Sequence, residues 1–104
     1  MDGAEKAPAK ICNIRSLIKE HRSEIRQSFK AEIVGIFGSY ARGEEKSGSD
    51  VDILVNFDDG ATLFDLAGLG DYLEKMFGLP VDVVSIRALH PMMKDEVLRE
   101  MVTV

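Results

Sequence analysis

The chain has 104 residues, 45% of them apolar and 30% charged, so it is long enough for one compact domain with one modest core. Its 13 basic and 18 acidic side chains give a net charge of -5, which argues against general nucleic-acid binding. The single cysteine excludes an internal disulfide, and no apolar run approaches the ~20 residues that span a bilayer. We expect a cytoplasmic protein without stable nucleic-acid or membrane partners, and the composition leaves an oligomer open.

The N-terminal third predicts a tail followed by a helix. Residues 1–10 mix glycine, proline and charges without periodicity, so we expect a flexible N-terminus and a single domain over residues 11–104. Apolar residues then recur at helical spacing among many charges from Ile11 to about Phe29. That spacing predicts one amphipathic helix.

Two short apolar runs follow, and each predicts a strand. The β-branched run from Glu32 to Phe37 is typical of a buried strand, which Gly38 ends before a short helix. The run from Val51 to Phe57 predicts a second strand, which the turn sequence Asp58-Asp59-Gly60 closes.

The second half predicts a helix, a strand and a helix. Thr62 and Asp65 have the spacing of a capping box, and Gly78 is placed to end the helix that they begin. Pro80 opens a third strand and Pro91 opens the last helix, whose Met92-Met93 pair we expect in the core. The fold class is therefore α/β (α+β), with a small mixed sheet of three or more strands flanked by helices.

The connection between strands two and three places three acids together. About twenty residues with a helix join these strands, which is the connection that a parallel pair requires. Asp50 and Asp52 are two apart at the start of strand two, so both point to one face, and Asp82 is near the start of strand three. Because parallel strands begin at the same edge, we expect the three carboxylates to converge.

Clustered carboxylates need a cation, and the preceding turn suits a phosphate. Three acids would raise one another's pKa unless a hard divalent ion such as Mg²⁺ neutralised them. Gly38 lets the backbone approach a ligand closely, Ser39 adds a hydroxyl at the start of the short helix, and Arg42 matches phosphate geometry.

Each feature alone has an ordinary structural interpretation. An Asp-x-Asp at a strand start is usually a solvated edge, Gly-Ser is usually a plain turn, and Asp82 and Arg42 could be surface charges. The combination is more specific, because the turn follows one buried strand and the acids open the next two. His21 and His90 lack a metal-ligand companion at a useful spacing, and P-loop, dinucleotide and hydrolase motifs do not occur in the sequence.

The stretch GSYARGEEKSGSDVDILV resembles the active-site signature of the DNA polymerase beta nucleotidyltransferase superfamily, with Gly-Ser, ten residues and then Asp-x-Asp. More narrowly, the chain from about Ile14 onward resembles the minimal nucleotidyltransferase (MNT) antitoxins that are encoded beside HEPN toxins. The resemblance implies a polymerase beta-like fold and an enzyme that transfers AMP from ATP to a tyrosine hydroxyl of the HEPN ribonuclease, releasing pyrophosphate.

The same resemblance implies a role for each candidate residue. Asp50 and Asp52 would bind two Mg²⁺ ions, and Asp82 would complete the site nearest the attacking hydroxyl. The Gly38-Ser39 turn would hold the terminal phosphates of ATP, the co-substrate, and Arg42 would contact a phosphate or the partner.

The acceptor stays open on sequence grounds. One alternative is a non-catalytic antitoxin that neutralises the HEPN toxin by binding alone. Another is a nucleotidyltransferase that acts on a small molecule or RNA through a further partner. The carboxylates do not distinguish these alternatives, because the acceptor is what differs among them.

Overall fold

The computed structural model describes residues 11–104, and the expected flexible segment at residues 1–10 lies outside that range. The helices are α1 (Ile11–Glu20), α2 (Arg22–Phe29), α3 (Ser39–Arg42), α4 (Leu63–Phe77) and α5 (Pro91–Glu100). The strands are β1 (Ala31–Phe37), β2 (Val51–Phe57), β3 (Val81–Ser85) and β4 (Val102–Thr103), and a short 3₁₀ turn, Ile86–Ala88, separates β3 from α5.

The strands form one mixed sheet in the order β3-β2-β1-β4. β2 and β3 are parallel, as the helical connection between them predicted, and Asp52 lies opposite Asp82 in their register. β1 runs antiparallel to β2, and the two-residue strand β4 pairs antiparallel with β1 at Gly35 and Ile36. The predicted mixed sheet is confirmed, and β4 is the addition.

A bulge in β1 sets which of its side chains face the core. Ile33 pairs with Val55 and Gly35 pairs with Leu54, so Val34 is an extra residue in the ladder. Strict alternation would put Ile33 and Ile36 on opposite faces, but the extra residue returns both to the core. After the bulge, the residues of β1 therefore face the side of the sheet opposite to the one that strict alternation from Ile33 predicts.

The main core lies between one face of the sheet and helices α1, α2 and α4. From β2 it takes alternate residues, Val51, Ile53 and Val55, all fully buried. The helices contribute a shared apolar stripe of buried residues: Ile14, Ile18, Ile25, Leu69, Leu73 and Phe77. Alternation leaves Asp52 and Leu54 on the opposite face of the sheet.

Helix α5 and the segment after it cover that opposite face. Gly35 is the register partner of Leu54, and a Cβ on Gly35 would overlap the Met101 side chain directly after α5. Val97 of α5 is buried and does not belong to the main core cluster. Val97 and Met101 thus pack on the side of the sheet that carries Asp52.

The single helix predicted from Ile11 to Phe29 is wrong in one respect, because the helix is interrupted. His21 has φ −106° and ψ 13°, between α1 and α2. Its imidazole Nδ1 lies 2.8 Å from the Leu17 carbonyl oxygen, which also accepts the His21 backbone N–H at 3.2 Å. The side chain thus shares a carbonyl with the backbone where the helix breaks.

Helix α4 begins and ends as the sequence predicted. The Thr62 hydroxyl accepts the Phe64 N–H at 3.2 Å, and the Asp65 carboxylate accepts the Thr62 N–H at 2.8 Å, which completes the capping box. Gly78 ends the helix at φ 69°. None of the helices within residues 11–104 combines the length and apolar character needed to cross a bilayer.

The expectation that Met92 and Met93 lie in the core is wrong. Met92 is 83% exposed and Met93 is 55% exposed at the start of α5. The buried face of α5 is instead marked by Val97.

We expect Gly35→Ala to destabilise the fold, because its Cβ would overlap Met101 and lie 2.7 Å from the Val102 carbonyl oxygen. Overpacking of this kind lowers the free energy of unfolding by about 1–3 kcal/mol, which urea unfolding followed by circular dichroism measures. Gly60→Ala is the matched control, because a Cβ there meets nothing within 4 Å, and its effect should stay within about 0.5 kcal/mol. Equal unfolding curves for the two variants would contradict the packing of Met101 and Val102 against Gly35.

Candidate active site

An open cleft of about 480 Å³ lies where β1 ends and β2 begins. That volume falls in the range of small-molecule sites. The cleft is lined by Phe37, Gly38, Ser39, Arg42, Ser49, Asp50, Asp52, Met93, Glu96, Val97 and Glu100. Five of the six residues predicted for the site are therefore brought together, and Asp82 is the exception.

The glycine-serine turn packs directly against the second aspartate. Phe37, the last residue of β1, pairs with Asp52, so the chain turns at Gly38 beside that carboxylate. Gly38 has φ 75° and ψ −151°, and a Cβ there would overlap the carboxylate oxygen of Asp52. Only glycine combines this backbone conformation with so close an approach. The predicted link between the turn and the Asp-x-Asp pair is thus a physical contact.

Ser39 and Arg42 lie on α3, the short helix that Gly38 begins. The Gly38 carbonyl accepts the Arg42 N–H at 3.1 Å, and the Ser39 carbonyl accepts the Glu44 N–H at 2.9 Å. These bonds define the single turn that carries both side chains to the cleft. One helical turn therefore brings a hydroxyl and a guanidinium to the cleft that Asp50 and Asp52 also line.

The guanidinium of Arg42 already has two partners. Its Nε donates to Glu44 at 2.9 Å and its Nη1 donates to Glu100 of α5 at 3.1 Å. The hydrogen bond to Glu44, followed by that to Glu100, raises the pKa of Arg42 above its usual value. A phosphate that binds Arg42 has to compete with these carboxylates, while the pair with Glu100 joins α3 to α5.

Asp52 is partly buried, and its surroundings oppose ionisation. Burial raises the pKa of this carboxyl, and the negative charges of Asp82 and Asp50 raise the pKa further. Arg42 acts in the opposite direction, with the smallest effect of the four. The three acids thus interact electrostatically, and the Arg42 guanidinium does not offset the rise in the pKa of Asp52.

Asp50 and Asp52 are ligands of the type that a hard cation prefers, but the arrangement of the described side chains does not form a complete metal site. Asp50 and Asp52 offer only oxygen ligands, and the uncompensated charge at Asp52 favours a divalent ion such as Mg²⁺. Within residues 11–104, no three His, Cys, Asp or Glu side chains are placed to hold a metal together. Asp82 is exposed on β3 beside Asp52 in register, so its role as a third ligand stays a prediction.

One wall of the cleft was missed by the sequence analysis. Met93, Glu96, Val97 and Glu100 of α5 all line the cleft. They follow the spacing i, i+3, i+4 and i+7, which defines one helix face. That spacing could have been read from the sequence, but the position of the helix over the sheet could not.

The fold and the cleft together define a nucleotidyltransferase domain, and the family model for that domain matches residues 18–104. Over 91 residues the chain is 44% identical to the protein adenylyltransferase MntA of Thermococcus cleftensis, covering 88% of this chain and 92% of that protein. The chain therefore belongs to the MntA family of protein adenylyltransferases.

Solved structures agree with this assignment. A solved structure described as a minimal nucleotidyltransferase superposes with a TM-score of 0.78 at 38% identity, covering 92% of this chain and 97% of that one. The fold is also similar, with a TM-score of 0.62 at 20% identity, to a chain in a complex of a tri-AMPylated Shewanella oneidensis HEPN toxin with its MNT antitoxin. That similarity covers 86% of this chain and 70% of the other.

We expect Asp52→Asn to stabilise the metal-free protein at neutral pH. The folded-state pKa of Asp52 lies above its ordinary value of 3.8. Its contribution to the free energy of unfolding is therefore fully present below about pH 3.8 and is lost as the pH rises through the folded-state pKa. At pH 7 with EDTA, the variant should melt at a higher temperature than the wild type, and the difference should vanish below about pH 4. Asp95→Asn, at an exposed site on α5, is the control and should not reproduce this pattern.

The contact between Gly38 and Asp52 predicts a specific non-additivity. Gly38 and Gly43 have φ values of 75° and 71°, so alanine strains the backbone at both, but a Cβ on Gly43 meets nothing within 4 Å. Gly38→Ala should therefore lower the free energy of unfolding by about 1–3 kcal/mol more than Gly43→Ala. In an Asp52→Ala background the part of this excess that the overlap causes should disappear, while the part due to the Gly38 backbone at φ 75° and ψ −151° should remain. Urea unfolding of the double-mutant cycle tests this, and an excess that Asp52→Ala leaves unchanged would show that the carboxylate is not the neighbour that matters.

Proposed function

We propose that this protein is the antitoxin of a HEPN/MNT pair and transfers AMP from ATP to a tyrosine hydroxyl of its HEPN ribonuclease toxin. The strongest support is the packing of the Gly38 turn against Asp52, which puts a backbone turn without a side chain and a carboxylate on one wall of the cleft. Membership of the MntA family supports transfer to a protein. The partner is supported by the fold shared with a chain of a complex between a HEPN toxin and an MNT antitoxin.

In the proposed reaction the acceptor hydroxyl oxygen attacks the α-phosphorus of ATP. A new oxygen–phosphorus bond forms, the bond between the α-phosphorus and its bridging oxygen breaks, and pyrophosphate leaves while the hydroxyl proton passes to solvent. Bound Mg²⁺, two ions in our proposal, would stabilise the charge that develops on the phosphate oxygens. The protein contributes mainly position and electrostatics.

Each candidate residue has a part in that scheme. Asp50 and Asp52 would hold the metal at the start of β2, and Asp82, next to Asp52 in the register of β3, would be a third ligand. The backbone of Gly38 and the hydroxyl of Ser39 bind the terminal phosphates. Arg42 binds a phosphate by exchanging one of its two carboxylate partners.

Charge makes a nucleic-acid acceptor the weaker alternative. The cleft carries Asp50, Asp52, Glu96 and Glu100, and the whole chain has a net charge of -5. A polyanion would be repelled from this surface unless cations screened it. A protein hydroxyl brings no such charge to the cleft.

Purified protein, Mg²⁺, ATP labelled on its α-phosphate and the HEPN protein encoded beside it should give a labelled toxin tyrosine. Asp50→Asn and Asp52→Asn should each lower the transfer rate by about 100-fold or more, because each removes a charged oxygen ligand. Asp71→Asn, on the exposed surface of α4, should transfer normally. Unchanged transfer by the Asp50 and Asp52 variants would overturn the assignment of the site.

Neutralisation of the toxin is measured in parallel, as survival of cells that express it. If catalysis is required, the Asp50 and Asp52 variants lose both labelling and protection. If they lose labelling and still protect fully, the protein masks its toxin by binding alone.

A further inference from the structure

Exposed apolar side chains concentrate on the helix that walls the cleft. Among residues 11–104, five large apolar side chains are exposed, and three of them, Met92, Met93 and Leu98, belong to α5. Met93 is both 55% exposed and part of the cleft lining, beside the carboxylates of β2. We call Met92 and Met93 the methionine lip. The lip is continuous with the cleft through Met93.

The position of the lip is held by the start of α5. Pro91 occupies the first turn, and the His90 ring Nδ1 accepts the Met92 N–H at 3.1 Å. One turn further on, Val97 is buried against the rest of the protein. The two methionines therefore project from a capped and anchored helix, which limits the entropy lost when a partner covers them.

Within residues 11–104, the cleft offers no unpaired cation to attract a partner protein, so apolar contact is the interaction that remains for this purpose. Arg42 is the only cation among the described residues that line the cleft, and Glu44 and Glu100 both pair with it. In the proposed function, Asp50 and Asp52 bind the metal ion. Methionine, by contrast, is flexible and polarizable and adapts to irregular apolar surfaces.

We propose that the methionine lip docks the acceptor protein, by contacting apolar side chains next to the hydroxyl-bearing residue that enters the cleft. This inference rests on the proposed function, because it assumes that the acceptor is a protein. An acceptor segment that crosses the rim at Met93 reaches Asp50 and Asp52 without a separate acceptor-binding domain. The complementary segment carries apolar residues, with basic rather than acidic neighbours to match Glu96.

The test separates acceptor binding from nucleotide binding. The double variant Met92→Ser/Met93→Ser is compared with Leu63→Ser/Phe64→Ser, whose side chains are 83% and 90% exposed at the start of α4. Leu63 neighbours Phe57 at the far end of β2, about 20 Å along the strand from Asp50. Three quantities are measured: KM and kcat for transfer to the HEPN-type toxin, the Kd of that toxin by calorimetry, and the Kd of a non-hydrolysable ATP analogue with Mg²⁺.

We expect the methionine variant to raise both KM and Kd for the toxin by about tenfold, since truncating central apolar anchors has effects of this size. Its kcat and its Kd for the ATP analogue should stay within about twofold, and the α4 variant should match the wild type in every measurement. A methionine variant with unchanged toxin binding, or an equal loss in the α4 variant, would overturn the lip as a docking surface. A selective loss of ATP-analogue affinity would assign the lip to the nucleotide and also overturn the proposal.

Failure of the proposed function gives a different result. If the wild type binds the toxin without transferring AMP, the enzymatic assignment to this acceptor fails, and the calorimetric comparison still decides the role of the lip. If the wild type does not bind the toxin, the docking proposal fails together with the partner assignment.

Discussion

The site depends on the register between β1 and β2, which sets Phe37 opposite Asp52 and turns the chain at Gly38 against that carboxylate. A slip of one residue would exchange the two faces of β2, burying Asp52 in the core and exposing Val51 and Ile53. The bulge at Val34 protects the register, because it keeps the apolar residues on both sides of it in the core. Core packing and the geometry of the active site are thus set by the same pairing.

This arrangement holds an acid where an acid is unfavourable. Asp52 lies on the sheet face that α5 partly covers, beside two further carboxylates, and burial is the largest cause of its raised pKa. A protein selected only for stability would place a neutral residue there. In the proposed function this acid would be a metal ligand, and a bound cation would compensate its charge and so stabilise the fold. Gly38 is constrained by the same carboxylate, because both its positive φ and its contact with Asp52 exclude a side chain.

Much of the fold was predictable because local signals agreed with the final structure. The alternation in β2, the capping box at Thr62 and the helical connection to β3 each gave the right element, and the parallel pairing of Asp52 with Asp82 followed. What failed depended on contacts between distant residues. The break at His21 and the short strand β4 have weak local signals, and the exposure of Met92 depends on where α5 lies over the sheet. The same is true of the cleft wall, since the sequence shows one face of α5 but not its neighbour.

Helix α5 connects these features physically. Its end is fixed by Met101 against Gly35 and by β4, its middle by the burial of Val97, and its cleft side by the ion pair between Glu100 and Arg42. Because Arg42 is also bound to Glu44, which follows α3, one guanidinium joins α5 to the loop between the glycine-serine turn and the aspartates. If a phosphate takes Arg42 from Glu100, as the proposed function allows, it would release one contact between α3 and α5; if it takes Arg42 from Glu44, that contact stays. The partner of Arg42 and the exposed methionines thus lie on one helix, Glu100 at its end and Met92 and Met93 in its first turn.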